Sequence, residues 1–370
     1  VPCCRDLSRL RMALIPYLLE PTADMALFGG KKKTIGLDVG SGLIKLVVID
    51  HSKGEPELVK VAITPVLADA IVEGEVMDPG IVADAIRGLF VTGGVKQKNV
   101  VTAVGGRDVI VKKIQMDRMK ESDAREVIRW EAEQHVPFDM ENVELDFQIL
   151  DPDAEGLQMN VLLVAAKREL VENKQALLTD AGLQPEIVDV DAFALQNAFE
   201  ANYPDELTGT IGLLNIGHEV TNINILEDGV PILTRDLALG TRRFREDLQR
   251  ERGMSAEEAD KLLQAFERSP VLDPYLESRG EEMSVGIERA AAFLQTASRS
   301  GVAMAKMYMS GGGSRIPGIG EVLADRLRIP VEKANPIKNI KVRDGVFDTL
   351  SMDEVVPLLM LPMGLALRSS

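Results

Sequence analysis

The sequence predicts an α/β protein of two lobes, each with a mixed sheet flanked by helices. Apolar, β-branched segments alternate with amphipathic helical segments along the chain. A pair of strand segments around the glycine turn at residues 40–42 has a counterpart around Gly217. A chain of 370 residues also exceeds what a single hydrophobic core usually organises. Two similar halves that face one another would enclose a cleft.

Composition excludes several classes of function. The net charge of −16 gives no basic face with which to neutralise phosphates, so we expect no nucleic-acid partner. Cys3 and Cys4 are adjacent and supply neither a disulfide framework nor a CxxC metal site, which favours a reducing cytoplasm. The apolar runs at 213–226 and 355–367 are interrupted and shorter than the roughly 20 residues that a membrane-spanning helix needs. We therefore expect a cytoplasmic protein.

Residues 1–33 are expected to form a poorly structured extension. An arginine-containing start followed by the apolar stretch 12–19 resembles a signal peptide, but Pro16 breaks the stretch and no cleavage site is evident. Met25 opens a segment typical of a natural start. The first 24 residues are then an upstream extension of the folded protein.

The first lobe is expected to open with a hairpin, because two apolar segments flank the turn Gly40-Ser41-Gly42. Later strand segments join the same sheet. The predicted elements are strands at 35–38, 43–50, 99–104, 109–114 and 187–190, and helices at 79–89 and 191–201.

A smaller subdomain is expected to interrupt this lobe. The segment 121–136 has Ala124, Ile128 and Ala132 on one helical face and is ended by Pro137. Two strands at 143–149 and 159–165 and a helix at 170–181 complete the insertion.

The second lobe repeats the hairpin and continues with helices. Ser255 and Glu258 form a capping box at the start of one of them. Pro362 is expected to kink the closing helix. The predicted elements are strands at 210–215, 221–227 and 306–309, and helices at 242–252, 256–267, 281–298, 320–327 and 357–368.

Three glycine-centred turns stand at strand ends and carry the chemistry, at 36–45, 215–222 and 310–315. Glycine lets backbone amides approach phosphate oxygens, Ser41 adds a hydroxyl and Lys45 a positive charge. Each turn alone is most simply a tight turn, but the three together indicate nucleotide binding. The sequence has no GxxxxGK[ST] motif, which excludes a P-loop.

In order and spacing these turns resemble the phosphate 1, phosphate 2 and adenosine motifs of the actin, Hsp70 and sugar-kinase superfamily, over residues 34–368. The resemblance implies an actin-like ATPase fold with ATP between the lobes. Glu258 and Lys261 resemble contacts to ribose and adenine, although a solvated charged helix explains them equally well. The assigned nucleotide-binding residues are Asp38, Gly40, Ser41, Gly42, Lys45, Asn215, Gly217, His218, Glu258, Lys261, Gly311, Gly312, Gly313 and Arg315.

A narrower resemblance concerns the insertion, which lies where FtsA-type proteins carry subdomain 1C in place of 1B. The phrase Arg-Trp-Glu-Ala-Glu-Gln-His-Val-Pro-Phe at 129–138, the opening at 36–41 and the ending at 362–368 resemble the PilM family of type IV pilus assembly proteins. The implied division is 34–112, 185–206 and 350–370 for subdomain 1A, 113–184 for 1C, 207–240 and 300–349 for 2A, and 241–299 for 2B.

Membership of that family implies ATP and Mg²⁺ as cofactors and an inner-membrane protein, PilN, as partner. The short cytoplasmic N-terminal segment of PilN would lie in a groove between subdomains 1A and 1C, with strand addition as one mode. The protein would then reach the inner membrane only through its partner. Self-association and contacts with other pilus platform proteins stay open. Trp130 is either a peptide anchor or a packed aromatic.

The second turn departs from the superfamily pattern. Asn215 replaces an Asp that helps to hold the metal's water shell, so we expect Mg²⁺ to be held through water by Asp38 with Asn215. Val220 and Asn222 replace the usual Thr and Asp. Binding is therefore better supported than turnover, at most a slow ATPase. A general-base role for His218 is less expected than ordinary polar loop chemistry.

Two other functions compete with a pilus assembly role. A small-molecule kinase of the same superfamily would need an Asp aimed at an acceptor hydroxyl, and none stands out. An FtsA-like cell-division filament protein would be expected to carry an amphipathic membrane helix after a linker, whereas this sequence ends at Ser370 directly after the closing helix.

Overall fold

The computed structural model describes residues 33–152, 155–297 and 304–368. The extension expected at residues 1–33 lies outside the described residues, apart from Lys33 in the first strand. The strands are β1 (Lys33–Val39), β2 (Leu43–Asp50), β3 (Glu57–Pro65), β4 (Ile71–Val72), β5 (Glu75–Val76), β6 (Asn99–Val104), β7 (Val109–Asp117), β8 (Val143–Ile149), β9 (Gln158–Lys167), β10 (Gln184–Val190), β11 (Thr210–Ile216), β12 (Thr221–Glu227), β13 (Val230–Leu237), β14 (Lys306–Ser310), β15 (Val331–Lys333) and β16 (Lys341–Val342). The helices are α1 (Pro79–Thr92), α2 (Glu121–Glu133), α3 (Arg168–Asp180), α4 (Asp191–Asn202), α5 (Thr241–Arg252), α6 (Ala256–Leu263), α7 (Asp273–Ala297), α8 (Ile319–Leu327), α9 (Met352–Val355) and α10 (Met360–Leu367).

The sheet of the first lobe has the strand order β10-β6-β1-β2-β3-β16 in the described part of the chain. Strands β1, β2 and β3 form an antiparallel meander, and β6 and β10 run parallel to β1. The meander turns at the glycines that follow Val39, where the apolar, β-branched run of β1 stops. The sheet is thus mixed, as the sequence predicts.

The sheet of the second lobe repeats this topology, with the order β13-β12-β11-β14-β15. Strands β11, β12 and β13 form the antiparallel meander, and β14 and β15 run parallel to β11. In each lobe, therefore, the first strand of the meander and its parallel neighbours end at one edge of the sheet. The two expected similar halves are confirmed.

Helices α4 and α10 join the lobes. One buried cluster contains Val47 of the first sheet, Ile211 of the second sheet and Phe199 and Leu365 of these helices. The helices approach closely, because a Cβ on Gly364 would overlap the carbonyl oxygen of Ala194 and lie 2.5 Å from its carbon. A shared core of this kind packs the lobes as one body around the α4–α10 crossing.

A three-stranded antiparallel sheet, ordered β7-β9-β8, forms the insertion together with α2 and α3 in the described residues. The prediction that the strand at 109–114 belongs to the first sheet is wrong. β7 instead pairs with β9 from Val109↔Ala166 to Asp117↔Gln158. The buried residues Ile114 and Met116 alternate with exposed ones, which suits an antiparallel sheet with one wet face.

The closing helix also differs from its prediction. α10 begins at Met360, after a 3-10 turn at Val356–Leu358. Pro362 therefore stands in the first turn, where no backbone N–H is needed for an intrahelical bond. The expected kink at Pro362 is wrong for this reason.

Candidate functional site: a cleft lined by three glycine turns

The first side of the site is the edge of the first sheet where β1, β6 and β10 end. These strands are parallel neighbours, so Asp38 of β1 and Asp191, directly after β10, come to the same edge. Gly105 follows the strand between them. A Cβ on Gly105 would overlap Asp191 Oδ2 and lie 2.9 Å from its Cγ. The sheet topology thus places two carboxyl groups on either side of a glycine.

The first glycine turn carries an ion pair. Asp38 and Lys45 are directly opposite in the β1–β2 register, and Lys45 Nζ donates to Asp38 Oδ2. The turn is tight, with Gly40 N donating to Leu43 O at 3.2 Å. Both charged side chains are largely buried, at 16% and 11% exposure for Lys45 and Asp38. A cation is therefore held beside the exposed backbone of the turn.

The second glycine turn is braced by a chain of amide and carboxyl side chains. Asn215 Nδ2 donates to Asn222 Oδ1 at 3.1 Å, and Asn222 Nδ2 donates to Asp236 Oδ1 at 2.8 Å. Burial raises the pKa of the Asp236 carboxyl above its ordinary value. The sequence predicts a second turn in which Asn215 and Asn222 stand where the superfamily pattern has Asp. The structure brings a carboxyl to it from β13, one strand away.

The third glycine turn packs directly on the end of β11. Gly311 has φ +83°, and a Cβ there would lie 2.5 Å from Ile216 O and 2.7 Å from Asn215 Oδ1. A Cβ on Gly313 would lie 2.8 Å from Ile216 Cβ. Ser310 Oγ donates to Asn215 Oδ1 at 3.3 Å. The glycines are needed because this loop approaches the second turn at backbone distance.

Arg315 closes the third turn. Burial lowers the pKa of its guanidinium, which is partly buried. It makes no hydrogen bond or ion pair with the residues that the structure describes. A half-buried guanidinium of this kind has all of its donors available for an anion.

The first and second turns meet across the cleft. A Cβ on Gly42 would lie 2.9 Å from both Cβ and Cγ of His218. Burial lowers the pKa of the His218 imidazole, which keeps the ring neutral at pH 7. Its Nδ1 lies 3.1 Å from Thr241 Oγ1. His218 therefore packs between the lobes, anchored to the start of α5.

Besides Asp236, sequence reasoning does not find Asp191 and Lys174. Burial, followed by the negative charges of Asp38 and Asp236, raises the pKa of the Asp191 carboxyl to about 7. Lys174 of α3 acts in the opposite direction on this carboxyl, and burial lowers the pKa of its own ammonium group. In the sequence, both residues are distant from the three glycine turns. The position of Asp191 directly after a strand end was the available signal.

The structure does not bring Glu258 and Lys261 into contact with the glycine turns. Glu258 Oε2 accepts a hydrogen bond from Ser255 N at 2.8 Å, so its carboxylate caps its own helix. Lys261 pairs with Glu257 at 2.7 Å, and both side chains are highly exposed. Asp260 of the same helix pairs with Arg245 of α5 at 3.6 Å.

Comparison with known proteins decides the family. A family model described as type IV pilus assembly protein PilM matches residues 36–370. The chain belongs to the PilM family. Its structure is similar to that in the PilM–PilN type IV pilus biogenesis complex, with a TM-score of 0.80 and 29% identity over 92% of this chain and 99% of the other. This match favours neither the kinase nor the FtsA-like filament.

A second solved structure extends the comparison beyond the PilM family. Ethanolamine utilization protein EutJ from Carboxydothermus hydrogenoformans has a TM-score of 0.55 and 18% identity over 91% of this chain and 90% of that chain. The likeness concerns the fold alone. Together with the PilM family match, it confirms the actin-like fold predicted from the sequence. In the part of the chain that the structure describes, no helix has the length and apolar character needed to cross a bilayer.

Proposed function

We propose that this protein is an ATP-binding assembly protein of the type IV pilus machinery that captures the cytoplasmic N-terminal segment of PilN. One observation carries the nucleotide part: three glycine turns, distant in sequence, come together, since Gly42 packs on His218, Gly311 packs on Asn215, and Lys45 pairs with Asp38 beside the first turn. The PilN part is supported by the structural similarity to a PilM–PilN complex over nearly the whole chain. Such a protein would organise the assembly platform from the cytoplasm, at the inner membrane through PilN.

The cleft fits a polyphosphate. The turns approach one another closely, because a Cβ on Gly42 would meet the His218 side chain and one on Gly311 or Gly313 would meet Ile216. Glycines leave the backbone at these positions without a side chain of its own, which suits contacts to phosphate oxygens. Lys45 supplies positive charge from the first lobe, and we assign Arg315, at the end of the third turn, as the cation of the second lobe. A nucleotide whose phosphates lie between the turns would therefore contact both lobes and link them.

The polar residues beside the turns also fit Mg²⁺. This ion prefers oxygen ligands and usually retains several waters, and Asp38 and Asn215 present a carboxylate and an amide oxygen at the two strand ends. Asp191 adds a second carboxyl on the side of Asp38. When bound, Mg²⁺ would neutralise part of the phosphate charge. Asn215 and Asn222 place amides where the superfamily pattern has carboxylates, and burial raises the pKa of the Asp236 carboxyl that accepts from Asn222, which supports slow turnover at most.

The insertion fits peptide capture, and we assign it to subdomain 1C. Trp130 on α2 is 74% exposed, so it is not the packed aromatic that the sequence left as one alternative. In the described sheet β8 pairs only with β9, which leaves its outer edge for strand addition. The PilN segment would lie between this insertion and subdomain 1A.

The test is a polarisation titration of a labelled N-terminal PilN peptide, from the organism that encodes this chain, with and without Mg-ATP. Saturable binding is expected in at least one condition.

ATP binding is measured separately with a fluorescent analogue. Lys45→Met should weaken ATP by about tenfold or more, because one charge-assisted phosphate contact is lost. Lys60→Met, at an exposed lysine of β3, is the matched control. Absence of peptide binding in both conditions would overturn the pilus partner, and unchanged ATP affinity in Lys45→Met would overturn the site.

A further inference from the structure

The structure contains a set of contacts that crosses the mouth of the cleft. We call it the clasp: Asp69 and Glu73 on the first lobe, and Glu219 and Arg242 on the second. Arg242 Nη2 lies 3.1 Å from Asp69 Oδ1, and Glu219 Oε2 accepts a hydrogen bond from the backbone N–H of Glu73 at 2.6 Å. We propose that the clasp holds the lobes together over the cleft and limits the rate at which nucleotide leaves. The proposal rests on the nucleotide binding proposed above.

The second-lobe half of the clasp is a pre-organised unit. Arg242 donates through Nη1 to Glu219 Oε1 at 2.6 Å and through Nε to Glu246 Oε1 at 2.8 Å. The Glu219 side chain is only 8% exposed, whereas that of Arg242 is 31% exposed. Bonds to Glu246 and then Glu219 raise the pKa of the Arg242 guanidinium. The guanidinium is thus fixed in place, with Nη2 left to reach the first lobe.

The first-lobe half is a rigid hairpin. Asp69 and Glu73 have φ +62° and +50°, in the left-handed region that non-glycine residues seldom adopt. The residues after Asp69 stabilise this conformation, because Ala70 and Ile71 are buried and Ala70 O accepts a hydrogen bond from Met77 N at 2.9 Å. A strained turn supported in this way presents its polar groups at fixed positions.

The clasp is joined directly to the second glycine turn. Glu219 follows Gly217 and His218 in the sequence, and Arg242 N donates to His218 O at 2.8 Å. The same His218 packs on Gly42 of the first lobe. Opening the clasp therefore frees the second turn from the first lobe at Glu219, directly beside the contact between His218 and Gly42. Phosphates held between the turns would be released when these contacts break.

The residue next to Arg242 provides a matched control. Arg243 is also on α5, is exposed, and has its described ion pair with Glu246 at 3.6 Å, within the same helix. Arg243→Ala removes a cation of the same kind at the same helix end without touching the first lobe. An effect shared by a clasp variant on each lobe but absent from Arg243→Ala must then come from the contact across the cleft.

The variants are Asp69→Asn and Glu219→Ala. Asp69→Asn lies on the lobe opposite the second turn, and asparagine tolerates the left-handed backbone that this position needs. With a fluorescent ATP analogue in stopped flow, we expect both variants to release nucleotide about five- to tenfold faster than wild type, the scale of one partly exposed ion pair and one charged hydrogen bond. Arg243→Ala should release at the wild-type rate. Unchanged release from both clasp variants would overturn the proposal.

A second measurement needs no nucleotide. Amide hydrogen exchange at Glu73 reports its bond to Glu219, so it should accelerate in Glu219→Ala and stay unchanged in Arg243→Ala. Equal exchange in wild type and Glu219→Ala would overturn the clasp. If wild type binds no nucleotide, the proposed function and the control of release both fail. Faster Glu73 exchange would then still show that the lobes are in contact at this point.

Discussion

Gly105 and Asp191 lie in contact at the edge of the first sheet, where a Cβ on the glycine would overlap the Asp191 carboxylate. Gly105→Ala should therefore displace Asp191 and destabilise the protein by about 1–3 kcal/mol, the usual cost of overpacking. Urea unfolding measures the change. Gly88→Ala is the control, because no atom lies within 4 Å of its added Cβ on α1 and alanine favours a helix. Equal stability of Gly105→Ala and wild type would show that Asp191 can move at no cost.

Asp191 should make stability fall as pH rises from about 4 to about 7. Its carboxyl has a pKa of about 7 in the folded protein against an ordinary value of 3.8, so the folded chain holds this proton where the unfolded chain has lost it. Folding stability then declines from about pH 4 to about pH 7 by up to about 1.4 kcal/mol per pH unit from this group. Asp191→Asn should remove that part of the slope. Free energies of unfolding from denaturant titrations at pH 5, 6, 7 and 8 measure it. Parallel curves for the two proteins would contradict a raised pKa.

Lys174 should hold the pKa of Asp191 down. Its positive charge is one of two that favour the ionised carboxyl, the other being that of Lys45. Lys174→Met removes the charge but keeps an unbranched side chain, so the pKa of Asp191 should rise above about 7, by about one unit. Carbon-13 NMR of the Asp191 carboxyl follows this titration. Lys60→Met, at an exposed position, should leave it unchanged. An identical titration in both variants would mean that solvent screens Lys174 from the carboxyl.

Gly364 should be the most sensitive position of the helix crossing between the lobes. An added Cβ would overlap the backbone of Ala194, and a helix backbone cannot yield as a flexible side chain can. Gly364→Ala should cost about 3 kcal/mol or more and broaden or split the unfolding transition as α10 separates from α4. Calorimetry measures both effects, with Gly88→Ala as control again. A single unshifted transition would place the close approach of the helices in doubt.

Much of the fold could be predicted because its strands carry strong local signals. Apolar, β-branched runs with polar turns identified the strands at 43–50, 99–104, 143–149 and 221–227 at the bounds that the structure shows. The same signal says nothing about which strand pairs with which, and β7 was for that reason assigned to the wrong sheet. β3 was missed, although it completes the first meander.

In the candidate site, too, local features can be predicted from the sequence and long-range ones cannot. Glycine turns are recognisable locally, and the structure brings all three of them together. Asp191 and Asp236 reach the cleft only through strand order and register, which are long-range properties. Glu258 illustrates the opposite case, since a local capping box explains it without any ligand. Sequence reasoning thus identifies the glycine turns and the Asp38 carboxyl of the site, but neither Asp191 nor Asp236.

Trp130 should anchor the PilN segment. It is 74% exposed on α2 of the insertion, and a large exposed aromatic suits an anchor that a bound peptide would bury. Trp130→Ala should weaken the labelled PilN peptide by about tenfold or more while leaving ATP affinity unchanged. Phe266 is a comparably exposed aromatic of the second lobe, at 81%, so Phe266→Ala is the matched control and should bind the peptide as wild type does. The same polarisation titration measures both. If Trp130→Ala binds the peptide as tightly as wild type does, the peptide binds elsewhere. A loss of affinity in Trp130→Ala alone would locate the peptide on the insertion.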